Sequence, residues 1–311
     1  MDTIPVAVIG TGYLGRFHAQ KYANLPEVEL VGVVDIDPKR AEEVASETNT
    51  APLSDYRDLY TKIRAASVVV PTPLHYRIAK DLLERDINVL LEKPMTTTIE
   101  EARELNHIAR EKDLVLQVGH LERFNPAYLA VAQTVKNPLF IESHRLNSFQ
   151  ERGTDVDVIL DIMIHDIDII LNLVNDEVKR IHAVGIPVIS SMIDIANARL
   201  EFENGCVVNV TASRISDKSM RKIRLFQHDA YISIDFAAQG VSVYKKIEEE
   251  GKLPYIVSEQ LKIESKDSLE EEIKSFLSSI KHKREPLVPG EAGIRALQVA
   301  LEITNQLRST T

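Results

Sequence analysis

A short apolar run, Val6-Ala7-Val8-Ile9, passes straight into Gly10-Thr11-Gly12-Tyr13-Leu14-Gly15, a G-x-G-x-x-G spacing set between a strand and a helix. Each glycine has a physical task in that setting. Gly10 permits a tight turn, Gly12 lets the backbone approach a ligand, and Gly15 lets the following helix pack on the strand. The free N–H groups and the dipole at the start of that helix favour an anion such as a pyrophosphate. Further along, the apolar run Leu30-Val31-Gly32-Val33-Val34 ends in Asp35. An acid at that strand end accepts hydrogen bonds from both ribose hydroxyls and repels a 2′-phosphate, so NAD is expected over NADP. A glycine-rich turn with a purely structural role leaves Asp35 unexplained.

The first 120 residues alternate strand-like segments (6–9, 29–35, 66–70, 89–92 and 115–118) with helix-like ones (14–24, 38–48, 54–61, 75–85 and 99–112). Such alternation predicts a parallel sheet with helices on both faces. Thr96-Thr97-Thr98 precedes Ile99-Glu100-Glu101, giving a hydroxyl cap and acids in the first turn. After Gly119 the texture changes. A helix is predicted over 126–136, a strand over 139–147, a polar loop over 150–155 and a very apolar helix over 157–174. Strands follow at 178–187, 194–202, 207–215, 222–227, 230–234 and 241–245, joined by short turns; Asn204-Gly205 suits a type I′ hairpin turn. These predict a largely antiparallel sheet with one face on a helix and the other solvated or paired with a second copy. Helices 268–281 and 290–308 close the chain. The expected class is α/β, with a dinucleotide-binding domain over 1–120 and an α+β substrate and oligomerisation domain over 121–289. A closing helix over 290–311 is expected to pack back on the first domain.

With 311 residues the chain can build two cores, and a net charge of −10 argues against a nucleic-acid partner. Its single cysteine, Cys206, excludes an intramolecular disulfide and a cysteine metal cluster. No segment approaches the roughly twenty apolar residues that span a bilayer, and no basic, apolar leader opens the sequence. The expectation is a cytoplasmic enzyme without a membrane partner.

In the segment 157–174, Asp157, Asp161, His165 and Asp168 fall at spacings that share one helical stripe, and nearly everything else is apolar. That predicts a buried helix whose polar stripe lines a cavity. Asp161 and His165 also have the spacing of two metal ligands, but no third ligand accompanies them and hydride chemistry needs none, so no metal is expected. Glu92-Lys93-Pro94 ends an apolar strand, where ligands of such sheets bind, and a lysine there can stabilise a developing alkoxide. Val70-Pro71-Thr72-Pro73-Leu74-His75 is a rigid loop expected to lie against a cofactor, although His75 taken alone reads as a helix-start residue. In His120-Leu121-Glu122-Arg123-Phe124-Asn125-Pro126, Arg123 is expected to grip an anion and Asn125 to bond a hydroxyl, with Phe124 as packing.

Gly10-x-Gly12-x-x-Gly15 with Asp35, then Glu92-Lys93-Pro94, then Asp161-x-x-x-His165, spread in that order over the whole chain, resemble the Gfo/Idh/MocA family, which includes glucose-fructose oxidoreductase and inositol dehydrogenase. The resemblance implies an N-terminal Rossmann domain and a C-terminal domain whose open sheet commonly mediates oligomers. It also implies NAD(P)-dependent oxidation or reduction of sugar and polyol carbons, with Lys93, Asp161 and His165 as the catalytic group. Gly119-His120-Leu121-Glu122-Arg123-Phe124-Asn125-Pro126-Ala127 and His165-Asp166-Ile167-Asp168 resemble the family's sugar-nucleotide 3-dehydrogenases, which act on UDP-N-acetylglucosamine or its uronate. The expected function is therefore NAD-dependent oxidation of a secondary sugar hydroxyl, at C3 of a UDP-linked N-acetyl amino sugar, by a dimer or tetramer. Expected cofactor contacts are Gly10, Thr11, Gly12, Tyr13, Leu14, Gly15, Asp35, Pro71, Thr72, His75, Glu92 and Lys93. Expected substrate contacts are Arg123, Asn125, Asp161, His165 and Arg214, with Arg145 and Arg221 as further candidates for a diphosphate. His165 is the expected base and Lys93 the group that polarises the oxygen, with the two roles exchangeable; Asp161 orients His165 or bonds a neighbouring hydroxyl. Two alternatives stay open. A free-polyol dehydrogenase, such as one for an inositol, would need fewer cations. A non-catalytic NAD-binding sensor would not need the intact Lys93, Asp161 and His165 set.

Overall fold

Val6, Ala7, Val8 and Ile9 are all buried, which a strand achieves only when both faces of its sheet are covered. They lie in β1 (Ile4–Ile9), which pairs in parallel with β2 (Val28–Val34) and β4 (Ala65–Val68). With β3 (Ala51–Leu53), β5 (Asn88–Glu92) and β6 (Leu116–Gly119) the sheet has the order β3-β2-β1-β4-β5-β6, all parallel. Strand order reverses between β1 and β4, the place where doubly wound sheets bind nucleotides. The crossovers are α1 (Tyr13–Ala23), α2 (Pro38–Thr48), α3 (His75–Leu83) and α4 (Ile99–Glu111). Asp37 caps α2 ahead of Pro38 at its first position, and Thr98 with Glu101 forms a reciprocal capping box on α4. The expected helix over 54–61 is only a 3₁₀ turn, Tyr56–Leu59. The sequence reading passed over β3, a three-residue strand with Pro52 at its centre, which the sheet edge tolerates because one side of its ladder is unused.

The computed structural model describes residues 3–149, 156–249 and 253–310; the polar loop expected over 150–155 lies outside them. Two compact units emerge, one of Met1–Leu121 with Asp267–Ile294, the other of Glu122–Lys266 with Arg295–Thr311.

The second unit opens with α5 (Pro126–Leu129), far shorter than the helix expected over 126–136, and β7 (Phe140–Leu146). A π-helical turn, Ile159–Met163, runs into α6 (Ile164–Val174). Then come β8 (Val178–Ile186), β9 (Ile195–Phe202), β10 (Val207–Ser213), β11 (Met220–Phe226), β12 (Ala230–Asp235), β13 (Gly240–Ile247) and β14 (Tyr255–Gln260). They form one sheet in the order β14-β13-β12-β11-β7-β10-β9-β8, antiparallel throughout except for β7 beside β10. Along β10, Val208, Val210 and Ala212 are buried while Val207, Asn209 and Thr211 are half-buried, the alternation of a sheet with one covered face. All six residues of β14 are exposed, so it lacks the alternation that marks a strand in sequence.

The β9–β10 turn differs from the type I′ expectation. Positive φ falls on Gly205 (φ 87°) and not on Asn204, the Gly205 N–H donates to Phe202 O at 3.0 Å, and the Asn204 side chain accepts from Cys206 N at 2.9 Å. A type I′ turn needs positive φ at both central residues. This is a three-residue loop closed by a left-handed glycine.

The domain boundaries also differ from expectation. Leu269, Ile273, Phe276, Leu277 and Ile280 of α7 (Ser268–His282) share a core with Ala19 and Tyr22 of α1, Val44 of α2 and Val6 and Val8 of β1. The segment from Asp267 therefore belongs to the first unit. Conversely Ala296, Val299, Ala300, Ile303 and Leu307 of α8 (Gly290–Thr310) join the core of the second unit with α6 and the inner face of its sheet. No helix among the described residues is long and apolar enough to cross a membrane.

Candidate active site

The strand-to-helix turn is built by glycines for steric reasons. Gly10 has φ +94°, and a Cβ there would sit 2.3 Å from Val69 O. A Cβ on Gly15 would lie 1.9 Å from Gly10 O, so α1 packs on the turn only without one. Around Gly12 the space is open to 4 Å. Gly12 caps α1 with no side-chain bond, and no acid occupies the first turn. The start of α1 thus carries no N-cap side chain and no first-turn acid to compete with a phosphate. Tyr13 is exposed and Leu14 packs on the core. On the outer side of the turn a cavity of about 390 Å³ is walled by Tyr13, Arg16, Phe17 and Arg40 among others.

Asp35 does more than the sequence suggests. Its Oδ2 accepts from Thr11 N at 2.8 Å and Thr11 Oγ1 at 2.9 Å; its Oδ1 accepts from Asp37 N at 2.9 Å and Arg40 at 3.0 Å. These donors take up the carboxylate's capacity of about four bonds. Burial raises its pKa, but the Asp37 and Thr11 donors and the Arg40 charge outweigh that and hold it below the usual carboxylate range. Asp35 is therefore a staple between the end of β2 and the glycine turn, already filled by protein donors. Both ribose hydroxyls reach it only where a donor yields, and the half-exposed Arg40 is the arm free to move.

At the end of β5 the neighbours Glu92 and Lys93 part. Lys93 is half-buried, whereas Glu92 is 8% exposed and turned inward. Its Oε2 accepts from Lys93 N at 3.2 Å, and a Cβ on Gly119 would sit 2.9 Å from its carboxyl carbon. The close approach of the Glu92 carboxyl to β6 holds it inside the unit, so its side chain is turned away from the surface. His75 is buried likewise. It is 1% exposed, with Nδ1 2.9 Å from Pro94 O and Nε2 2.8 Å from Val70 O. Burial, opposed by those carbonyls, lowers its pKa; a neutral ring donates to one of the two carbonyls, and the ring sits between the loops after β4 and β5. Pro71 is exposed and Thr72 half-buried, at the start of the 3₁₀ turn that leads into α3.

In the second unit the predicted stripe of four polar residues reduces to two. Asp157 is buried, accepts from Ile193 N at 3.0 Å and pairs with Arg308 at 3.1 Å. Asp168 is buried against Arg123, 3.5 Å away. Between Asp157 and Leu171 only Leu160, Asp161 and His165 are not fully buried. The π turn, in which Ile164 N–H bonds back to Ile159 O, adds a residue to the turn that carries Asp161 and changes the phase of the helix ahead of His165. Such turns recur at functional sites.

The arginines do not form the expected anion grip. Arg145 is buried and bonds Asp166 (2.6 and 2.9 Å) and Glu122 (2.7 Å). Arg214, also buried, donates to Val156 O and lies 3.8 Å from Asp194. Arg123 faces Asp168 and the Tyr128 ring. Each buried guanidinium has an acid beside it, which charge burial demands. Arg221, by contrast, is exposed on β11. Asn125 caps α5, with Oδ1 accepting from Ala127 N at 3.1 Å and Nδ2 donating to Glu122 and Phe236 O, both at 3.1 Å. Both N–H groups of its amide and one lone pair of its oxygen are spent on the fold. The sequence reading missed the acids Glu122 and Asp166; an arginine at a buried position of an alternating strand was the available signal.

Residues 4–120 match an oxidoreductase family with an NAD-binding Rossmann fold, GFO/IDH/MocA, and residues 133–232 match the GFO/IDH/MocA C-terminal domain. The chain is 37% identical over 298 residues to a UDP-N-acetylglucosamine 3-dehydrogenase of Acidithiobacillus ferrooxidans, covering 95% of each. It is 30% identical over 196 residues to an inositol 2-dehydrogenase of Rubrobacter xylanophilus, covering 59% of this chain and 56% of the relative. The solved UDP-N-acetylglucosamine 3-dehydrogenase GnnA from Acidithiobacillus ferrooxidans superposes with a TM-score of 0.93 at 36% identity, over 99% of both chains. A scyllo-inositol dehydrogenase from Lactobacillus casei, at 18% identity and TM-score 0.82 over 99% of this chain and 98% of that one, shares the fold.

The role given to Asn125 is testable. Asn125→Ala removes a helix cap and strands the groups it bonds, so the second unit should lose about 1–3 kcal/mol in urea denaturation with KM unchanged. A raised KM at unaltered stability would return Asn125 to the substrate.

Proposed function

The chain belongs to the Gfo/Idh/MocA oxidoreductase family, and from that premise we propose that it is an NAD-dependent dehydrogenase oxidising the 3-hydroxyl of a UDP-linked N-acetyl amino sugar. One observation carries this reading: the relation to a UDP-N-acetylglucosamine 3-dehydrogenase runs through 95% of both chains, whereas the inositol 2-dehydrogenase relation covers 59% of this one. The diphosphate rests on that relation and not on the arginines first singled out, which are tied to acids.

The chemistry a bound nicotinamide supplies is acceptance of a hydride from the sugar carbon. Residues of the chain handle the proton and the charge. His165, half-buried, takes the hydroxyl proton as general base, a step suited to an imidazole. Lys93 is assigned to stabilise negative charge as it develops on the substrate oxygen. Asp161 orients the imidazole or bonds a neighbouring hydroxyl of the sugar. The uncapped start of α1 and the open space over Gly12 suit the pyrophosphate.

If the nucleotide supplies remote binding energy, kcat/KM for UDP-N-acetylglucosamine should exceed that for free N-acetylglucosamine and for myo-inositol by orders of magnitude. With the true substrate, Lys93→Met and His165→Asn should each lower kcat about 10²- to 10⁴-fold while NADH titrations stay unchanged. Equal turnover of the free polyol would replace this reading with a polyol dehydrogenase.

Asp35 stays anionic throughout the working pH range because its pKa is held low. A 2′-phosphate placed beside it meets a like charge, so NADP should bind at least about tenfold more weakly than NAD. Comparable dissociation constants would mean that Arg40 turns from Asp35 to the phosphate.

The outer face of the second sheet carries a cross-strand aromatic row, Phe140, Phe226, Tyr231 and Tyr244, with ring spacings of 5.7, 4.8 and 5.0 Å. We assign this face to a second copy of the chain. Light scattering at micromolar concentration should give the mass of a dimer or tetramer; a monomer removes the assignment.

A further inference from the structure

The core of the first unit contains a polar island. It consists of His18 and Tyr22 of α1, Ser67 of β4, Glu92 of β5, Gln117 of β6 and Glu272 of α7, none more than 8% exposed. Tyr22 Oη and His18 Nδ1 share Ser67 Oγ at 2.9 and 3.1 Å. His18 Nε2 lies 3.3 Å from Glu92 Oε1, off the line of a straight hydrogen bond. Gln117 Nε2 donates to the Glu272 backbone carbonyl at 3.1 Å. Among the described residues, neither carboxylate oxygen of Glu272 has a hydrogen-bond partner, nor has Gln117 Oε1. Side-chain atoms of His18, Glu92 and Glu272 converge within 4.8 Å of one another.

Two carboxylates this close in a dry interior do not both ionise. The donors around them decide which keeps the charge. Glu92 receives the Lys93 N–H and faces His18. Glu272 receives nothing, and burial followed by the Glu92 charge pushes its pKa well above the ordinary carboxyl range. The Tyr22 phenol, raised by burial, stays neutral. We propose that Glu92 and Glu272 share one proton, held on Glu272, and that the single remaining carboxylate makes Glu92 the positioning residue for Lys93. The second clause rests on the catalytic reading of Lys93; the first does not. The Glu92 carboxylate acts through the Lys93 backbone N–H, at the turn where the lysine leaves β5. A helix from the far end of the chain thus sets the ionisation behind it.

The sign of the pH effect follows from the raised pKa. The folded chain keeps a proton on Glu272 that the unfolded chain releases, so this group weakens folding as pH rises above its unfolded value. Glu272→Gln preserves the shape and the neutrality and abolishes the titration. The folding constant of the variant relative to wild type should rise with pH in urea titrations, by at most about tenfold per pH unit, from the unfolded carboxyl pKa up to the point where Glu272 itself ionises. The infrared carbonyl band of a neutral carboxylic acid should be present in wild type and absent from the variant. In turnover, Glu92→Gln should lower kcat and shift the pH profile of kcat/KM without changing NADH affinity, while the profile of Glu272→Gln should keep the wild-type position. A Glu272→Gln protein less stable than wild type at every pH, or a wild type without the neutral-acid band, would overturn the shared proton. So would one equivalent of a divalent metal in the purified enzyme, by plasma mass spectrometry, that Glu272→Gln loses; the cluster would then be a metal site. If the stability and infrared results hold but Glu92→Gln leaves the pH profile unmoved, the positioning clause is overturned. Failure of the catalytic reading shows separately, as full turnover in Lys93→Met.

Discussion

The nucleotide end of the first unit depends on one close approach, the Cα of Gly15 against the carbonyl of Gly10. Any Cβ at Gly15 would overlap that oxygen, and any at Gly10 would overlap Val69 O. Because both are absent, α1 starts against the end of β1 with its first N–H groups free of a side-chain cap. Asp35 locks this arrangement from the side. Its carboxylate holds both the backbone and the hydroxyl of Thr11, so the strand end that would read the ribose also fixes the turn that would hold the phosphates. Shape and charge at the nucleotide end are therefore one construction.

The second unit solves a different problem, which is to hold polar groups in a deeply buried helix. Asp166 takes Arg145 and Ser143, Asp168 faces Arg123, and Asp157 holds Ile193 N and Arg308. Every acid turned inward has a cation or a hydrogen-bond donor, as buried charge requires. Of the polar residues from Asp157 to Asp168, Asp161 and His165 are the ones that stay half-buried. Removing a structural partner such as Arg145 would leave the acids it holds without compensation, so these arginines contribute to the stability of the fold.

Much of the fold was legible because its signals are local. The alternation of β1, α1, β2 and α2, the Asp37-Pro38 start and the Thr98–Glu101 box depend on residues a few positions apart. Less legible were the elements whose character comes from neighbours distant in sequence. β14 has no buried face and so no alternation. α7 shows a clear apolar stripe, but nothing in the stripe says that it packs on α1. Within that stripe Glu272 was the one discordant residue, three positions after Leu269 and four before Phe276, and such a residue in an apolar face is the signal that leads to the buried cluster.

By itself the sequence determined the glycine turn, the class of both units and the family, because steric need at glycines and short-range spacing are written in consecutive residues. Only the tertiary structure decided which polar side chains are spent on the fold. Asn125, His75, Glu92, Arg123 and Arg214 all look like ligand contacts in a linear reading, and each is buried against a partner brought from elsewhere in the chain. The reason is electrostatic. A polar or charged group leaves water only where its hydrogen bonds and charge are answered, and the answering atom is chosen by packing, which no local spacing records.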